Sequence, residues 1–308
     1  MRIVFMGTPQ IAATCLKALC EAGREIVGVY TKPDTPQKRG MKLTMSAVKE
    51  YALSRELAVF QPAGFREDEV VEELKALQPD VIAVVAYGKI LPQRVLDIPR
   101  LGCVNIHASL LPKLRGAAPI QRAVLNGFPQ TGVTAMYMAK ELDAGDIIDV
   151  SVTDVLPEET SGELTDRLAQ LGAALLVKTM DALENGTATR TPQDPAQVTY
   201  AAMLSREEAP IDWTQPAGRI HDQIRGLNPW PVAETVLGGN RLRIYASQVL
   251  DETTQLAPGT PIRTGKKGLD MACGAGTVLR VLRVQADGGK QLNAPDYFRG
   301  HPLETANG

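Results

Sequence analysis

Two polar side chains with the chemistry of acyl transfer lie two residues apart in this sequence of 308 residues. Asn105 and His107 fall at the end of a short apolar segment whose pattern predicts a strand over 103–107. Because alternate residues of a strand project to the same side, the amide and the imidazole should lie side by side. Both groups can donate hydrogen bonds to the oxyanion of a tetrahedral intermediate. The pair therefore indicates a site that stabilises such an intermediate.

Asp143 is the carboxylate that could complete this site. It lies in Leu-Asp-Ala-Gly, in the loop between two further predicted strands. An aspartate near a histidine orients the imidazole, or takes a proton from an attacking amine directly or through water. Each of the three residues could instead have a structural role. His107 could be a hydrogen-bonded structural histidine, Asn105 a turn former, and Asp143 part of an Asp-x-Gly turn. From the residue types alone, both interpretations stay open.

The composition is that of an ordinary globular protein. The chain has 33 basic and 35 acidic residues, a net charge of −2 and 44% hydrophobic residues. This charge argues against a histone-like protein but leaves room for a local basic patch. Its four cysteines form no CxxC pair, its histidines have no metal-ligand spacing, and no apolar run is long enough to span a membrane. We therefore expect a soluble, cytoplasmic protein without a metal.

Strands and helices that position these residues alternate through the first part of the chain. Apolar segments at 2–6, 25–31, 80–86 and 103–107 predict strands that are buried on both faces. This pattern is typical of an α/β protein with an open, mostly parallel Rossmann-like sheet. For the first helix, Thr8 is predicted as the N-cap, Pro9 as the first helical residue and Gly23 as the stop.

The domain organisation is predicted from a change in the pattern of apolar, proline and glycine residues along the chain. Residues 1–189 are predicted as the catalytic domain, and 190–208, rich in proline and polar residues, as a linker. Residues 209–308 read as short strands separated by glycine turns, which predicts a small β-barrel or sandwich.

The chain resembles the folate-dependent formyltransferase family in several separated motifs. The string Asn-Ile-His-Ala-Ser-Leu-Leu-Pro-x-x-Arg-Gly spans residues 105–116, and Leu-Asp-Ala-Gly spans 142–145. Further matches are Gly-Thr-Pro at 7–9, Val-Ala-Tyr-Gly at 85–88 and Ile-Asp-Trp at 211–213. These motifs occur in the family's order and cover nearly the whole chain. The resemblance implies the formyltransferase fold, followed at 209–308 by a barrel of the oligonucleotide-binding (OB) type.

The resemblance also implies an activity and its residues. Members with this combination of motifs transfer the formyl group of 10-formyltetrahydrofolate to the α-amine of methionine on initiator methionyl-tRNA. Asn105, His107 and Asp143 match the family's catalytic residues, and no metal is needed. Two loops match the segments that contact folate: Val85, Tyr87, Gly88, Ile90, Leu91, Ser109, Leu110, Leu111 and Pro112.

A basic segment is the candidate contact to tRNA. Residues 32–49 carry five basic side chains and one acidic side chain, and a basic loop can reach phosphate backbones. The segment resembles the family's insertion that contacts the tRNA acceptor arm, with Arg39 as the most important candidate. The tRNA-binding residues implied by the resemblance are Lys38, Arg39, Lys42 and Arg115. We expect a monomer that binds one tRNA, with further contacts from the basic residues of the C-terminal barrel.

Several other functions stay open at this point. A glycinamide ribonucleotide or nucleotide-sugar formyltransferase would share the three catalytic residues, and so would a hydrolase that gives the formyl group to water. Neither of the two formyltransferases needs the basic segment together with the C-terminal barrel. A non-catalytic RNA-binding protein would not require the three polar residues. An NAD-dependent enzyme is disfavoured because the GxGxxG fingerprint is absent after the first strand.

Overall fold

The computed structural model describes residues 1–37 and 42–306. Its first half alternates strands with helices, as the apolar pattern predicts. In chain order these elements are β1 (Arg2–Gly7), α1 (Gln10–Glu21), β2 (Glu25–Tyr30), β3 (Thr35–Gln37), β4 (Lys42–Thr44), α2 (Ala47–Ser54), β5 (Val59–Phe60), α3 (Asp68–Ala76), β6 (Val81–Val85), α4 (Gln93–Leu96), β7 (Cys103–His107), β8 (Arg115–Gly116), α5 (Pro119–Leu125), β9 (Gln130–Tyr137) and β10 (Ile147–Asp154).

Seven of these strands form one sheet in the order β10-β9-β7-β6-β1-β2-β5. In this order, each strand from β7 through β6, β1 and β2 to β5 is parallel to its neighbour, whereas β9 runs antiparallel to β7. The central strands are buried along their whole length; every residue of β6, for example, is buried. Both faces of the sheet are therefore covered, and the predicted open, mostly parallel sheet is confirmed.

The start of α1 differs from the prediction, although its end agrees. Pro9, not Thr8, is the N-cap, and no side chain caps this helix. The Thr8 hydroxyl instead donates to the carbonyl oxygen of Tyr87, 3.1 Å away, in the loop after β6. At the other end, Gly23 follows the C-cap with a φ of +70°, as expected of a helix stop. Thr8 is thus used to join two loops at one edge of the sheet.

The second half of the chain contains one long helix followed by a sheet. Its elements are α6 (Ser161–Glu184), β11 (Tyr200–Ala201), α7 (Ala217–Gly226), β12 (Ala233–Leu237), β13 (Asn240–Thr253), β14 (Pro261–Gly265), β15 (Gly268–Ala272), β16 (Thr277–Ala286), β17 (Leu292–Asn293) and α8 (Ala294–Gly300). At the start of α6, the Thr160 hydroxyl and the Glu163 carboxylate cap each other's backbone N–H groups, which forms a capping box.

The C-terminal strands form a six-stranded antiparallel sheet. Its order is β12-β13-β16-β15-β14, and β17 pairs with β16. Helix α7 packs on β13 and β16, with Ile220 and Ile224 buried. The predicted small barrel-like domain is therefore present, but the sequence reading missed α7 and α8.

The contacts divide the chain into two units. One unit contains residues 1–119, 131–154 and 165–201, and the other contains 120–130, 155–164 and 202–308. The segment 190–208 holds regular structure: β11 pairs in parallel with β8, and Thr191 bridges to Ile147. Division of the chain at 189 and 209 stays a prediction. In the described residues, no helix combines the length and apolarity needed to cross a membrane.

Stability of the first unit is expected to depend on the apolar face of α1. Leu16 is fully buried, whereas Leu53 on α2 is 49% exposed. Leu16→Ala should lower the free energy of unfolding by about 2–5 kcal/mol, because it removes buried methyl groups and leaves a cavity. Leu53→Ala, the matched control, should change it by about 0.5 kcal/mol or less. Urea denaturation measures both, and equal effects would contradict this packing.

Candidate active site

Asn105 and His107 lie on the same face of β7, the strand where the sheet changes from parallel to antiparallel. Asn105 is opposite Val84 on β6 and Met136 on β9, and His107 is opposite Thr134. Asn105 is half-buried, and its side-chain amide makes no hydrogen bond to any of the described residues. An amide that is accessible and unpaired is available to a substrate atom.

The His107 ring is held by a backbone carbonyl. The ring is 6% exposed, and Nε2 lies 2.9 Å from the carbonyl oxygen of Leu114. A carbonyl oxygen only accepts, so Nε2 carries a proton and donates it to Leu114. The neutral ring therefore has its basic lone pair on Nδ1. That nitrogen lies 3.7 Å from Oδ2 of Asp143, so a proton taken up on Nδ1 would lie next to a carboxylate.

Asp143 lies in the loop after β9, and this loop starts at the opposite end of β7 from His107. Because β9 is antiparallel, its last residue Tyr137 pairs with Val104, away from His107. The loop after β9 must therefore run back along β7. In this loop Asp143 has a φ of +49°, and its Oδ2 accepts the N–H of Gly116 at 2.9 Å. The carboxylate is thus held between a backbone donor and the imidazole.

Two glycines make this approach possible. A Cβ on Gly145 would overlap the carbonyl oxygen of Tyr137, so only glycine lets the loop fold back against the end of β9. Gly116 has a φ of +116°, and a Cβ there would lie 2.9 Å from the carbonyl oxygen of Ala201. Both glycines thus allow a close backbone approach that a side chain would prevent, and Gly116 also supplies the N–H that binds Asp143.

The three side chains combine two donors with a proton acceptor. The Asn105 amide, together with a proton on His107 Nδ1, can stabilise an oxyanion, and the Asp143 carboxylate can accept a proton. A thiolate nucleophile is not available on this strand, because burial raises the pKa of the Cys103 thiol to about 12. In the described residues, no group of three His, Cys, Asp or Glu side chains has the arrangement of a metal site. The arrangement suits direct attack of an amine on an acyl carbon.

The first predicted folate loop alternates between core and surface. Val85, Tyr87 and Leu91 are buried, whereas Gly88 is exposed and Ile90 is 90% exposed. The buried residues anchor the loop, and burial raises the pKa of the Tyr87 phenol. Gly88 and Ile90 are the members of this set that can contact a ligand directly.

The second predicted folate loop, residues 109–112, is held by its own polar groups. The Ser109 hydroxyl donates to the carbonyl of Lys113 at 2.7 Å and is fully buried. Thr134 links the loop to β9, donating to the Ser109 carbonyl and accepting from the Leu111 N–H. Leu111 is 7% exposed, which leaves Leu110 and Pro112 as the more accessible residues. Ser109 and Leu111 therefore shape the loop.

A groove beside the first loop was not predicted from the sequence. It has a volume of about 990 Å³ and is lined by Phe65, Arg66, Lys89, Ile90 and Arg94. Arg94 pairs with Asp68, whereas Arg66 makes no ion pair with any described residue. Burial and the nearby Lys32 ammonium lower the pKa of Lys89. Glu67 also lines the groove, but Arg66, Lys89 and Arg94 outnumber it. The groove thus combines apolar surface with net positive charge, which suits an anionic ligand.

The predicted tRNA contacts of the first unit are described only in part. Lys38 and Arg39 lie outside the described residues, as does the side chain of Lys42. Arg115 is half-buried, and its Nε and Nη2 donate to Oε1 of Gln193 at 3.1 and 2.7 Å. Arg115 is therefore tied to the segment predicted as a linker.

The basic candidates of the C-terminal barrel fall into two groups. Arg241, Arg243 and Arg280 pair with Glu234, Asp287 and Asp270 respectively. The exposed cations that make no ion pair with described residues are Lys266, Lys267, Arg283 and Lys290. These exposed, unpaired cations can therefore contact a phosphate backbone.

Three groups that hold the site were missed by the sequence reading: the Leu114 carbonyl, the Gly116 N–H and the Gln193 side chain. Two are backbone groups, whose direction the residue type does not reveal. Gln193 lies in a proline-rich polar segment that indicated a linker. No local pattern in the sequence marks these three groups.

Comparisons with known proteins agree with this fold. The family model described as Formyl transferase matches residues 1–180, and that described as Formyl transferase, C-terminal domain, matches 203–302. A methionyl-tRNA formyltransferase from Moorella thermoacetica is 49% identical over 303 residues, which cover 98% of this chain and 97% of the relative. One from Stutzerimonas stutzeri is 48% identical over 308 residues, covering 100% and 97% respectively.

Solved structures with low sequence identity share the fold. The N-formyltransferase from Helicobacter canadensis, in complex with folinic acid and dTDP-3-aminofucose, has a TM-score of 0.69 at 20% identity and covers 92% of this chain and 98% of its own. HypX from Aquifex aeolicus, in complex with tetrahydrofolic acid, has a TM-score of 0.64 at 16% identity and covers 99% of this chain and 48% of its own.

The hydrogen bond to Leu114 predicts the tautomer of His107. In protein labelled with ¹⁵N-histidine, the neutral His107 ring should show a protonated Nε2 and an unprotonated Nδ1. The chain has only three histidines, so a His107→Gln sample assigns the signals. A neutral ring protonated on Nδ1 would contradict the geometry of this site.

Proposed function

This chain belongs to the methionyl-tRNA formyltransferase family and formylates methionyl-tRNA, and we propose that it takes the formyl group from 10-formyltetrahydrofolate, using Asn105, His107 and Asp143. The observation that carries the proposed site is the unpaired Asn105 amide on the same strand face as His107, whose Nδ1 lies 3.7 Å from the Asp143 carboxylate. This set of groups meets the needs of amine attack on a formyl carbon.

The proposed reaction is a direct transfer. The neutral α-amine attacks the formyl carbon, and a C–N bond forms while the carbonyl electrons move to oxygen. Asn105 and a proton on His107 Nδ1 stabilise this oxyanion. Asp143 accepts the proton that the amine loses, directly or through water. Collapse of the oxyanion breaks the bond to N10 of the folate, and N10 takes up the proton held by Asp143, directly or through water. N-formylmethionyl-tRNA and tetrahydrofolate then leave, with the Asp143 carboxylate restored.

The surface around the loop after β6 supports a folate donor. A pterin ring needs apolar contact on its faces and hydrogen bonds at its edge. Among the predicted folate residues, the accessible Gly88, Ile90, Leu110 and Pro112 can supply such contacts. We assign the anionic glutamate tail to the neighbouring groove, where Arg66 and Lys89 provide positive charge. Val85, Tyr87, Leu91, Ser109 and Leu111 are assigned to holding the two loops.

Binding of the tRNA acceptor is proposed to use cations from both parts of the chain. Phosphate contacts require cations that are not already paired, which favours Lys266, Lys267, Arg283 and Lys290 in the C-terminal barrel. In the first part of the chain we retain Lys38, Arg39, Lys42 and Arg115 as candidates. The product is used in translation initiation, which accords with the predicted cytoplasmic location, and we expect a monomer to bind one tRNA.

The experiment that tests this function offers several acceptors in parallel. Purified protein and 10-formyltetrahydrofolate are incubated with initiator methionyl-tRNA, glycinamide ribonucleotide, a 4-amino nucleotide sugar or no acceptor. We expect N-formylmethionyl-tRNA alone. Transfer to a small acceptor would overturn the assignment of the tRNA contacts, and formate release without an acceptor would indicate a hydrolase. Binding of tRNA without any transfer would favour a non-catalytic RNA-binding protein.

Asn105 is expected to act on turnover and not on tRNA binding. Asn105→Ala should lower kcat by about 10²-fold or more, the scale of losing an oxyanion donor, with little change in the tRNA dissociation constant. Asn185→Ala is the matched control, because Asn185 is exposed and follows the end of α6. Steady-state formylation and filter binding measure the two quantities. A parental kcat in Asn105→Ala would exclude this amide from the reaction.

Arg39 is expected to act through the tRNA phosphates. Arg39→Ala should weaken tRNA binding and reduce the slope of log affinity against log salt by about one, because one phosphate contact is lost. Arg55→Ala, which removes an exposed arginine outside the basic segment, should leave the slope unchanged. Filter binding over a salt series measures the slope. Identical slopes in the parent and Arg39→Ala would remove Arg39 from the tRNA contacts.

A further inference from the structure

The side chain of Gln193 makes four N–H···O hydrogen bonds, two with the loop of Asp143 and two with Arg115. Its Nε2 donates to the carbonyl oxygens of Asp143 and Gly145, each at 2.8 Å. Its Oε1 accepts from Nε and Nη2 of Arg115 at 3.1 and 2.7 Å. The orientation of the amide is determined by its partners, because a guanidinium only donates and carbonyl oxygens only accept.

These contacts lie where the Asp143 loop most needs support. Asp143 has a φ of +49°, a backbone region that non-glycine residues seldom occupy. The Gly116 N–H holds its carboxylate, but that single bond does not fix the backbone of the turn. Gln193 binds the carbonyls at both ends of the turn from Asp143 to Gly145 and ties them to Arg115, the residue before Gly116.

The segment around Gln193 is itself anchored to the same unit. Thr191 exchanges two backbone hydrogen bonds with Ile147, at the start of β10. The Thr199 hydroxyl accepts the N–H of Leu114, whose carbonyl binds His107. Strand β11 then pairs with Arg115 and Gly116. Residues 191–201 are therefore a fixed support on which Gln193 is held from both sides.

We propose that Gln193 is a positioning residue for formyl transfer, which holds the Asp143 turn so that the carboxylate faces Nδ1 of His107. This inference rests on the proposed function and on Asp143 as the proton acceptor. Glutamine is required because its side-chain amide supplies two N–H donors and one oxygen acceptor at the end of a side chain of this length. A glutamate would keep both bonds from Arg115 but would set a carboxylate against two carbonyl oxygens.

The test compares Gln193→Leu and Gln193→Glu with Gln197→Leu, an exposed glutamine in the same segment. Both Gln193 variants should lower kcat by about 10- to 10²-fold, the scale of a displacement of about 1 Å, with each KM within about threefold of the parent. The control should retain the parental kcat. If anchoring Arg115 were the whole role, Gln193→Glu would keep its kcat, and that result would overturn the proposal.

A spectroscopic readout keeps the test independent of activity. In ¹⁵N-histidine-labelled free protein, Gln193→Leu or Gln193→Glu should shift the ring signals of His107 but not those of His221 or His301. A variant that is only less stable would keep the native signals, so unchanged His107 signals would overturn the proposal even if kcat fell. A parent without transfer activity would instead refute the proposed function. If Gln193→Leu does not fold, Gln193→Glu provides both readouts.

Discussion

The Asp143 carboxylate lies beside the His107 ring only because one loop doubles back along β7. The antiparallel pairing of β9 with β7 places the end of β9 opposite Val104, so the chain has to return to reach His107. This return needs glycine at 145, a left-handed backbone at Asp143 and the Gly116 N–H as an anchor for the carboxylate. The remaining parts of the site are arranged around that contact.

The same constraint links the site to distant parts of the chain. Gly116 can approach Ala201 because it lacks a Cβ, and the resulting β8–β11 pair brings residues 191–201 beside the loop. Leu114, in the same segment as Gly116, fixes which nitrogen of His107 carries the proton. Asn105 and His107 are thus placed by β7, and the Asp143 carboxylate is held by a backbone group from another segment. The Asn105 amide and His107 Nδ1 make no hydrogen bond to the described residues, so both are available to the reactants in the proposed reaction.

Periodicity alone predicted much of the fold and the relative placement of Asn105 and His107. The strand 103–107 was predicted with its observed bounds, and its alternation places Asn105 and His107 on one face. Periodicity could not predict the Thr8 contact, because a hydroxyl before a helix reads as an N-cap whichever partner it has in the folded chain. Nor could it reveal Gln193, whose partners are backbone carbonyls 48 and 50 residues away. Residue type and loop position made Asp143 a candidate and the family motifs supported it, but the groups that hold it depend on tertiary contacts.

The most direct test of this account is the single-turnover rate of formyl transfer by Asp143→Asn with both substrates saturating. Asparagine preserves the size of the side chain and can still accept the Gly116 N–H, but it removes the negative charge beside His107 and a strong proton acceptor. We expect the rate to fall by about 10²-fold or more, while tRNA affinity stays at the parental value. A single-turnover rate equal to that of the parent would contradict the role of this carboxylate in the reaction.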